Sequence, residues 1–265
     1  MKIEEKISIY LNEGRTKGVD IDFARNFIEK RCQKDIKGTP IWRGIQDYTD
    51  DYLYIDPSKS SKRYSAFADY NYYNMLLSNL PSWKDYPPRD KSLVCTTSYD
   101  NAEHRQNGDY PFRVLPVDGA RIGVCNECDI WEGFKITVRS SMQGFNRSMY
   151  ELFDRNGVKT RNTDMSYSTF VKACNEIDKI KDEGEHDIDI GNNWHNKEWV
   201  IDYRDGESKL IDFLDFLLSP GENYFRLVAS GAKIPDDREV WTDGESILIR
   251  SDSDLYTEIF GKFRI

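Results

Sequence analysis

The final third of the chain contains a strand-turn-strand pattern centred on Asp243-Gly244. Residues 238–242 and 245–249 flank that pair and are rich in β-branched, aromatic and aliphatic side chains. An Asp-Gly pair suits the two central positions of a type I′ turn, both of which need a positive φ. The pattern predicts a β-hairpin with Glu239 at the mouth of its first strand.

Further strand-like and helical segments surround this pattern. Apolar and β-branched runs predict strands at 41–45, 92–97, 112–115 and 134–138. Helical spacing of apolar residues predicts helices at 69–77, 163–183 and 210–218, the last stopped by Pro220. Helices segregated from short strands, with no repeating βαβ order, indicate an α+β fold.

The beginning of the chain is interpreted as a pair of short helices. A second helix is expected after Asp20, which suits an N-cap position, and the first is expected from the spacing of Ile3, Ile7, Tyr10 and Leu11. We expect residues 1–36 to form a helical lid on a single domain that covers 1–265. Residues 140–225 carry no chemical motif, so the sequence leaves open whether they are a target-recognition insertion or scaffold.

Composition and charge exclude several classes of protein. The chain is 38% hydrophobic and 31% charged, as globular proteins are, and no apolar run approaches the ~20 residues of a membrane helix. A net charge of −9 disfavours nucleic acid as a partner without excluding it, because local basic patches persist in acidic chains. We expect a monomer with no membrane association and a protein or small-molecule partner.

The first fifteen residues alternate charged and apolar side chains, unlike the apolar core of a secretory signal. We therefore expect a cytoplasmic protein. The five cysteines are an odd number and too few for a disulfide framework in a chain of this size, so they are predicted to be thiols.

Two of the chemistry-bearing segments follow predicted strands. Arg43, next to Gly44, could present a bidentate guanidinium to a pyrophosphate, although an arginine in a structural ion pair is the commoner case. The small hydroxyls of Thr96, Thr97 and Ser98 could hold a strand end rigid beside a ligand, although such residues also occur in ordinary turns.

The third chemistry-bearing segment is the acidic loop that leads into the predicted hairpin. Asp237 and Glu239 are two residues apart, so an extended strand would direct both carboxylates to one face. Two carboxylates on one face repel unless something cationic or electron-poor lies between them. Ordinary surface acids are the alternative interpretation.

Together and in this order, the three segments resemble the arginine, Ser-Thr-Ser and Glu-x-Glu signature of mono-ADP-ribosyltransferases related to bacterial toxins and phage enzymes. The resemblance runs from about Pro40 to Ile249, and it includes an alanine downstream of the triplet and a Pro-x-x-Gly-Ala element at 116–120. It implies a fold of two packed, roughly perpendicular β-sheets with N-terminal helices. The implied enzyme cleaves the nicotinamide–ribose bond of NAD and transfers ADP-ribose to a target, expected to be a protein side chain.

Carried onto this sequence, the resemblance implies a role for each segment. Arg43, with Gly44 beside it, would bind the phosphates of NAD, and the triplet at 96–98 would brace the nicotinamide-ribose pocket. Glu239 would accept a hydrogen bond from the ribose 2′-hydroxyl. A fixed carboxylate there would stabilise the positive charge that develops on the ribose as nicotinamide leaves.

Two positions depart from the family pattern. The triplet begins Thr-Thr where the family usually has Ser-Thr, and Asp237 stands where members have Glu or Gln. Asp237 could still orient an acceptor guanidinium, but its shorter side chain leaves the acceptor open. The alternatives are an NAD glycohydrolase on the same scaffold and a non-catalytic interaction or inhibitor protein. A phage or effector protein of this family would act in the host cytoplasm.

No metal is expected. Cys125 and Cys128 have the spacing of half a zinc site, but no second pair supplies the remaining two ligands. The histidines His104, His186 and His195 are scattered, and the acidic stretch 182–187 is interpreted as a solvated loop.

Overall fold

The computed structural model describes residues 16–46, 48–59, 72–105, 110–134, 136–139, 141–160, 165–183, 188–189 and 197–261. Over these ranges the chain is a mixed α+β protein built on a nine-stranded antiparallel sheet, and the predicted α+β class is confirmed. The strands are β1 (Lys17–Gly18), β2 (Trp42–Arg43), β3 (Tyr52–Ile55), β4 (Leu93–Thr96), β5 (Phe112–Pro116), β6 (Arg121–Val124), β7 (Arg226–Ala229), β8 (Glu239–Thr242) and β9 (Ser246–Arg250).

The same ranges contain eight α-helices: α1 (Ile21–Arg31), α2 (Tyr72–Leu77), α3 (Tyr99–Arg105), α4 (Met142–Arg155), α5 (Tyr167–Glu183), α6 (Lys197–Asp205), α7 (Leu210–Leu217) and α8 (Asp254–Phe260). Short 3₁₀ turns lie at Pro57–Lys59, Pro81–Trp83 and Arg89–Lys91. None of these described helices is long and apolar enough to cross a membrane.

The strand order of the sheet is β1-β3-β9-β5-β2-β4-β8-β6-β7, so β2 stands between two halves of four strands each. One hydrophobic cluster runs across both halves on one face, which we call the inner face, and includes Leu53, Val114, Val240 and Ile122. Its members are cross-strand neighbours, such as Leu53 and Leu248, whose side chains lie on the same face. A second cluster, which includes Trp42 and Leu115, lies on the opposite, outer face.

Helix α1 covers the outer face of one half. The side chain of Asp20 accepts a hydrogen bond of 2.8 Å from the backbone nitrogen of Phe23, as an N-cap does. Ala24, Phe27 and Ile28 are buried at helical spacing, in a cluster with residues of β5 and β9. The second predicted N-terminal helix is confirmed, and the first lies outside the described residues.

The predicted strand at 134–138 is wrong. Its described residues form turns, with the backbone nitrogen of Val138 donating to the carbonyl of Phe134 at 2.9 Å. Phe134 and Val138 are buried four residues apart, whereas Ile136 between them is 51% exposed. A strand would have put all three on one face. The predicted strands around 41–45, 92–97 and 112–115 and the helices around 163–183 and 210–218 are confirmed, as is the described part of the helix around 69–77.

The predicted hairpin is also wrong, although both of its arms are strands. β8 pairs with β4 and β6, whereas β9 pairs with β3 and β5, on the other side of β2 in the strand order. Neither Asp243 nor Gly244 has the positive φ that a type I′ turn requires. Gly244 serves a close approach instead, since a Cβ there would lie 2.6 Å from the Cβ of Ala120.

The chain divides into two compact units. The first comprises 1–63, 86–129 and 226–265 and contains the sheet with α1, α3 and α8. The second comprises 64–85 and 130–225 and contains α2 and α4 to α7. The stretch 140–225, for which the sequence suggested either an insertion or scaffold, lies in the second unit.

A buried charged pair lies beneath the first unit's sheet. Asp35 is 2% exposed, and one carboxylate oxygen accepts a hydrogen bond of 2.8 Å from the backbone nitrogen of Gly231. The other oxygen, Oδ2, is buried without a hydrogen-bond partner in the described part of the chain. Arg113 is also buried and donates to the backbone carbonyl of Asp35. Burial raises the pKa of Asp35 to about 6 and lowers that of Arg113 to about 10.

We expect Asp35 to make folding less favourable as the pH rises from about 4 to about 6. Its folded pKa of about 6 lies above its ordinary value of 3.8, so the folded state holds the proton more tightly. The resulting stability is complete below pH 3.8 and is lost as the pH passes through about 6, by at most about 3 kcal/mol. Asp35→Asn keeps an acceptor for Gly231 and should remove this component from urea unfolding curves.

Asp20→Asn is the matched control, since exposed Asp20 also accepts a backbone hydrogen bond, from Phe23 at 2.8 Å. An identical pH dependence of unfolding for Asp35→Asn and the unmodified protein would contradict the assignment.

Candidate functional site

Three adjacent strands bring the distant segments of the predicted site together. Trp42 on β2 lies opposite Thr96 on β4, and Thr96 lies opposite Glu239 on β8. Paired residues of this kind have Cβ atoms about 5 Å apart and side chains on the same face. Trp42 and Glu239, which are 197 positions apart in the sequence, thus meet within three strands, near the end of β4 and the beginning of β8.

The backbone of Glu239 is held from two sides. On one side it pairs with β4, where Thr96 ends the strand. On the other, its nitrogen donates to the carbonyl of Glu127 at 3.0 Å, and its carbonyl accepts from the nitrogen of Cys125 at 2.9 Å. The predicted position of Glu239 at the mouth of a strand is confirmed, and its Cα has little freedom to move.

The side chain of Glu239 forms a buried ion pair with Arg89. The Glu239 Oε1 atom contacts Nη2 of Arg89, and both side chains are only 5% exposed. The guanidinium carbon of Arg89 also lies 5.3 Å from the ring centre of Trp241, which faces the same side of β8. Nothing in the local sequence pattern distinguishes Arg89, which follows two prolines in a short connection. Sequence reasoning missed this partner.

Residues 86–91, which we call the cover segment, lie over the same face of β8. The indole nitrogen of Trp241 donates to the carbonyl of Pro87 at 3.0 Å, and the ring of Tyr86 stacks on that of Trp241 at 6.3 Å. Gly123 on the neighbouring strand leaves room for the indole, because a Cβ there would collide with the Trp241 ring. The contacts fix the segment from which Arg89 reaches Glu239.

Arg89 is not fully satisfied by this arrangement. Its Nη1 atom is buried and has no hydrogen-bond partner in the described ranges. A buried donor without a partner costs on the order of 1–3 kcal/mol. Arg89 therefore holds Glu239 through Nη2, and its Nη1 donor remains without a hydrogen bond in the described ranges.

The hydroxyl triplet is engaged by backbone groups. Thr96 Oγ1 accepts from the nitrogen of Ser98 at 3.1 Å, and Ser98 Oγ accepts from the nitrogen of Asn101 at 3.2 Å, at the start of α3. Thr97 Oγ1 accepts from the nitrogen of Arg238 at 2.8 Å and donates to the carbonyl of Pro235 at 3.0 Å. These bonds tie the end of β4 to the loop that precedes Glu239.

Arg43 is close in the sheet, but its side chain takes another direction. Alternation along β2 places Trp42 on the face of Thr96 and Glu239, and Arg43 on the opposite face. The half-buried guanidinium of Arg43 donates through Nη1 to the carbonyl of Val94 in β4. Gly44 follows directly and is also half-buried. The structure thus groups Thr96 with Glu239, and it directs Arg43 away from them.

Asp237 does not share a face with Glu239 in the expected way. It has a φ of 55° and lies in a bend before β8, so the two-residue alternation of a strand does not apply to it. Its exposed carboxylate accepts a hydrogen bond of 2.7 Å from the side chain of Asn101 on α3. The shared face expected from the sequence is therefore absent, because the extended backbone begins only at Glu239.

The cysteines and acids near Glu239 do not form a metal site. All five cysteines are free, and among the described residues no group of three His, Cys, Asp or Glu side chains is placed to hold a metal ion. Cys125 is buried against the backbone of Glu239, and burial raises the pKa of its thiol. Cys128 is exposed. His104 is exposed on α3, and His186 and His195 lie outside the described residues.

Comparisons with protein-family models, with curated proteins and with solved structures find no match to this chain.

We expect strong coupling between Arg89 and Glu239. Arg89→Met should destabilise the fold by about 3–5 kcal/mol, because it leaves a buried carboxylate without its cation. Adding Glu239→Leu to Arg89→Met should recover most of that loss, since two apolar side chains replace a buried pair. Urea unfolding of the four proteins of this cycle, at one pH, measures the coupling. Additive effects of the two substitutions would contradict a direct buried pair.

Proposed function

We propose that this protein is a mono-ADP-ribosyltransferase that uses NAD as its substrate and Glu239 as its central catalytic residue. One observation carries the proposal: the register that aligns Trp42, Thr96 and Glu239 across three neighbouring strands. These are the segments in which the sequence resembles that family.

The chemistry proposed for Glu239 needs an ionised, fixed carboxylate. The bond between nicotinamide and the ribose C1′ breaks, and nicotinamide leaves with the bonding electrons as a neutral molecule. The C1′ carbon gains positive charge, which the Glu239 carboxylate stabilises. An acceptor nucleophile then bonds to C1′ and releases its proton. The buried contact with Arg89 fixes the position of the Glu239 carboxylate, as this role requires.

The reaction also requires access to Glu239. Glu239 is only 3% exposed, and the cover segment lies over the face of β8 to which the Glu239 side chain points. A ribose reaches the carboxylate only when the cover segment moves or Arg89 releases it. When Arg89 releases Glu239, its Nη1 atom loses no hydrogen bond, because that donor has no partner in the described part of the chain. This limits the number of hydrogen bonds that the release breaks.

The same burial favours a second candidate, a non-catalytic interaction protein. A carboxylate paired with Arg89 and withdrawn from solvent is what a structural ion pair requires. In that case the cover segment would stay in place, and Glu239 would stabilise the fold without contacting a ligand. The two candidates differ in whether the protein consumes NAD.

Glu239→Gln should lower the rate of NAD consumption by about 10²–10³-fold, because the amide keeps an oxygen for Arg89 but lacks the negative charge. The assay follows NAD labelled in its ADP-ribose moiety, with purified protein and cell lysate. Glu245→Gln is the matched control, since Glu245 also pairs with an arginine, Arg31, but lies outside the site. It should keep full activity.

The destination of the label separates the candidates. Label in macromolecules supports the transferase, and label only in free ADP-ribose indicates an NAD glycohydrolase. Absence of NAD consumption by the unmodified protein would overturn the proposal in favour of the interaction protein. A folded Glu239→Gln variant with unchanged NAD turnover would remove Glu239 from the catalytic role.

Arg43 needs a separate test, because its guanidinium bonds to the Val94 carbonyl and faces away from Glu239. If it turns to bind the phosphates of NAD, Arg43→Ala should raise KM for NAD at least about 10-fold with a smaller effect on kcat. Steady-state kinetics measure both. Unchanged KM and kcat would show that Arg43 does not bind NAD and serves only the hydrogen bond to Val94 in the sheet.

A further inference from the structure

The second unit contains a pocket that the proposed NAD chemistry does not use. It has a volume of about 180 Å³ and lies between residues 136–139 and the helices α6 and α7. For comparison, an engineered apolar cavity of about 150 Å³ accommodates benzene. The pocket therefore has room for one large apolar side chain.

Part of its lining is apolar and exposed to solvent. Ile136 and Phe216 are 51% and 59% exposed, although both are large hydrophobic residues. Trp199 lines the same pocket and is 3% exposed, and its indole nitrogen is buried without a hydrogen-bond partner in the part of the chain that is described. Burial of an unpaired indole N–H is unfavourable. The pocket thus combines an unpartnered donor with apolar surface.

The rim of the pocket is acidic. Glu198 forms an ion pair with Arg139, so that pair contributes no net charge. Asp202 also lines the pocket, and Asp212 lies one helical turn before Phe216 on α7. Both aspartates are exposed, and neither forms an ion pair within the described ranges. A cationic group beside the apolar pocket would therefore find two carboxylates.

The second unit as a whole is negatively charged, like the rim of the pocket. Its sequence contains 20 acidic and 13 basic residues, a net charge of −7 out of the −9 of the chain. The larger unit that carries the sheet is therefore close to neutral. Such an asymmetry attracts positively charged partners and repels nucleic acid.

We infer that this pocket binds a basic segment of a partner protein through one large apolar side chain. That side chain packs between Ile136 and Phe216, and a neighbouring Lys or Arg lies against Asp202 and Asp212. The inference stands apart from the proposed NAD chemistry, since the pocket lies wholly in the second unit.

Three fluorescein-labelled peptides test the recognition on the full chain by fluorescence anisotropy. The sequences are Lys-Lys-Leu-Lys-Lys, Lys-Lys-Ala-Lys-Lys and Glu-Glu-Leu-Glu-Glu. The first should bind at least 10-fold more tightly than the other two, because only it supplies both the apolar side chain and the cations. Its affinity should fall as salt is added. A ¹H–¹⁵N spectrum should show a shift of the Trp199 indole signal, identified by its loss in Trp199→Phe.

Two substitutions locate the binding. Phe216→Ser should weaken binding of the Lys-Leu peptide about 10-fold and leave the fold intact, since this side chain is exposed. Tyr224→Ser is the matched control, because Tyr224 is 67% exposed in the same unit but does not line the pocket. Equal effects of the two substitutions would overturn the inference. So would equal binding of all three peptides, no binding of the Lys-Leu peptide, or an unmoved Trp199 signal. Loss of NAD turnover in Glu239→Gln with unchanged peptide binding would show that the two sites are independent.

Discussion

Backbone pairing of β2, β4 and β8 is the constraint on which the candidate site depends. Trp42 and Arg43 form backbone pairs with β4 on one side and β5 on the other, and among the described strands no other joins the two halves of the sheet. The pairing of β2 with β4 places Thr96 beside Trp42. The pairing of β4 with β8 places Glu239 beside Thr96. The candidate site therefore depends on two adjacent sets of backbone hydrogen bonds.

Arg89 places a positive charge beside the buried carboxylate of Glu239. Removing a charged group from water is costly unless an opposite charge lies beside it, and Arg89 and Glu239 are each other's partner in this buried pair. The cover segment that carries Arg89 is itself held by Trp241, through the indole hydrogen bond to Pro87. This arrangement both prepares the carboxylate electrostatically and withholds it from solvent. An enzyme at this site would exchange that buried contact for contact with its substrate.

Local patterns predicted much of the fold, and the errors arose where tertiary contacts decide. The Asp20 cap and the spacing of Ala24 and Phe27 were enough to predict α1. In contrast, the arms of the Asp243-Gly244 pattern pair with distant strands, and no local rule contains that information. β6 was missed because it is short and interrupted by a glycine, and β7 because its residues are mostly exposed. The order of Arg43, the triplet and Glu239 predicted which segments meet, but alternation within β2 and the bend at Asp237 determined where their side chains point.

The most direct test of the central proposal is a crystal structure of Glu239→Gln grown with NAD. Glutamine slows turnover, and it retains the shape of the site. The proposal predicts nicotinamide-ribose density beside residue 239 and Thr96, and Arg89 displaced from residue 239. An empty site at saturating NAD, with Arg89 still bound to residue 239 and the Trp241–Pro87 hydrogen bond intact, would contradict it.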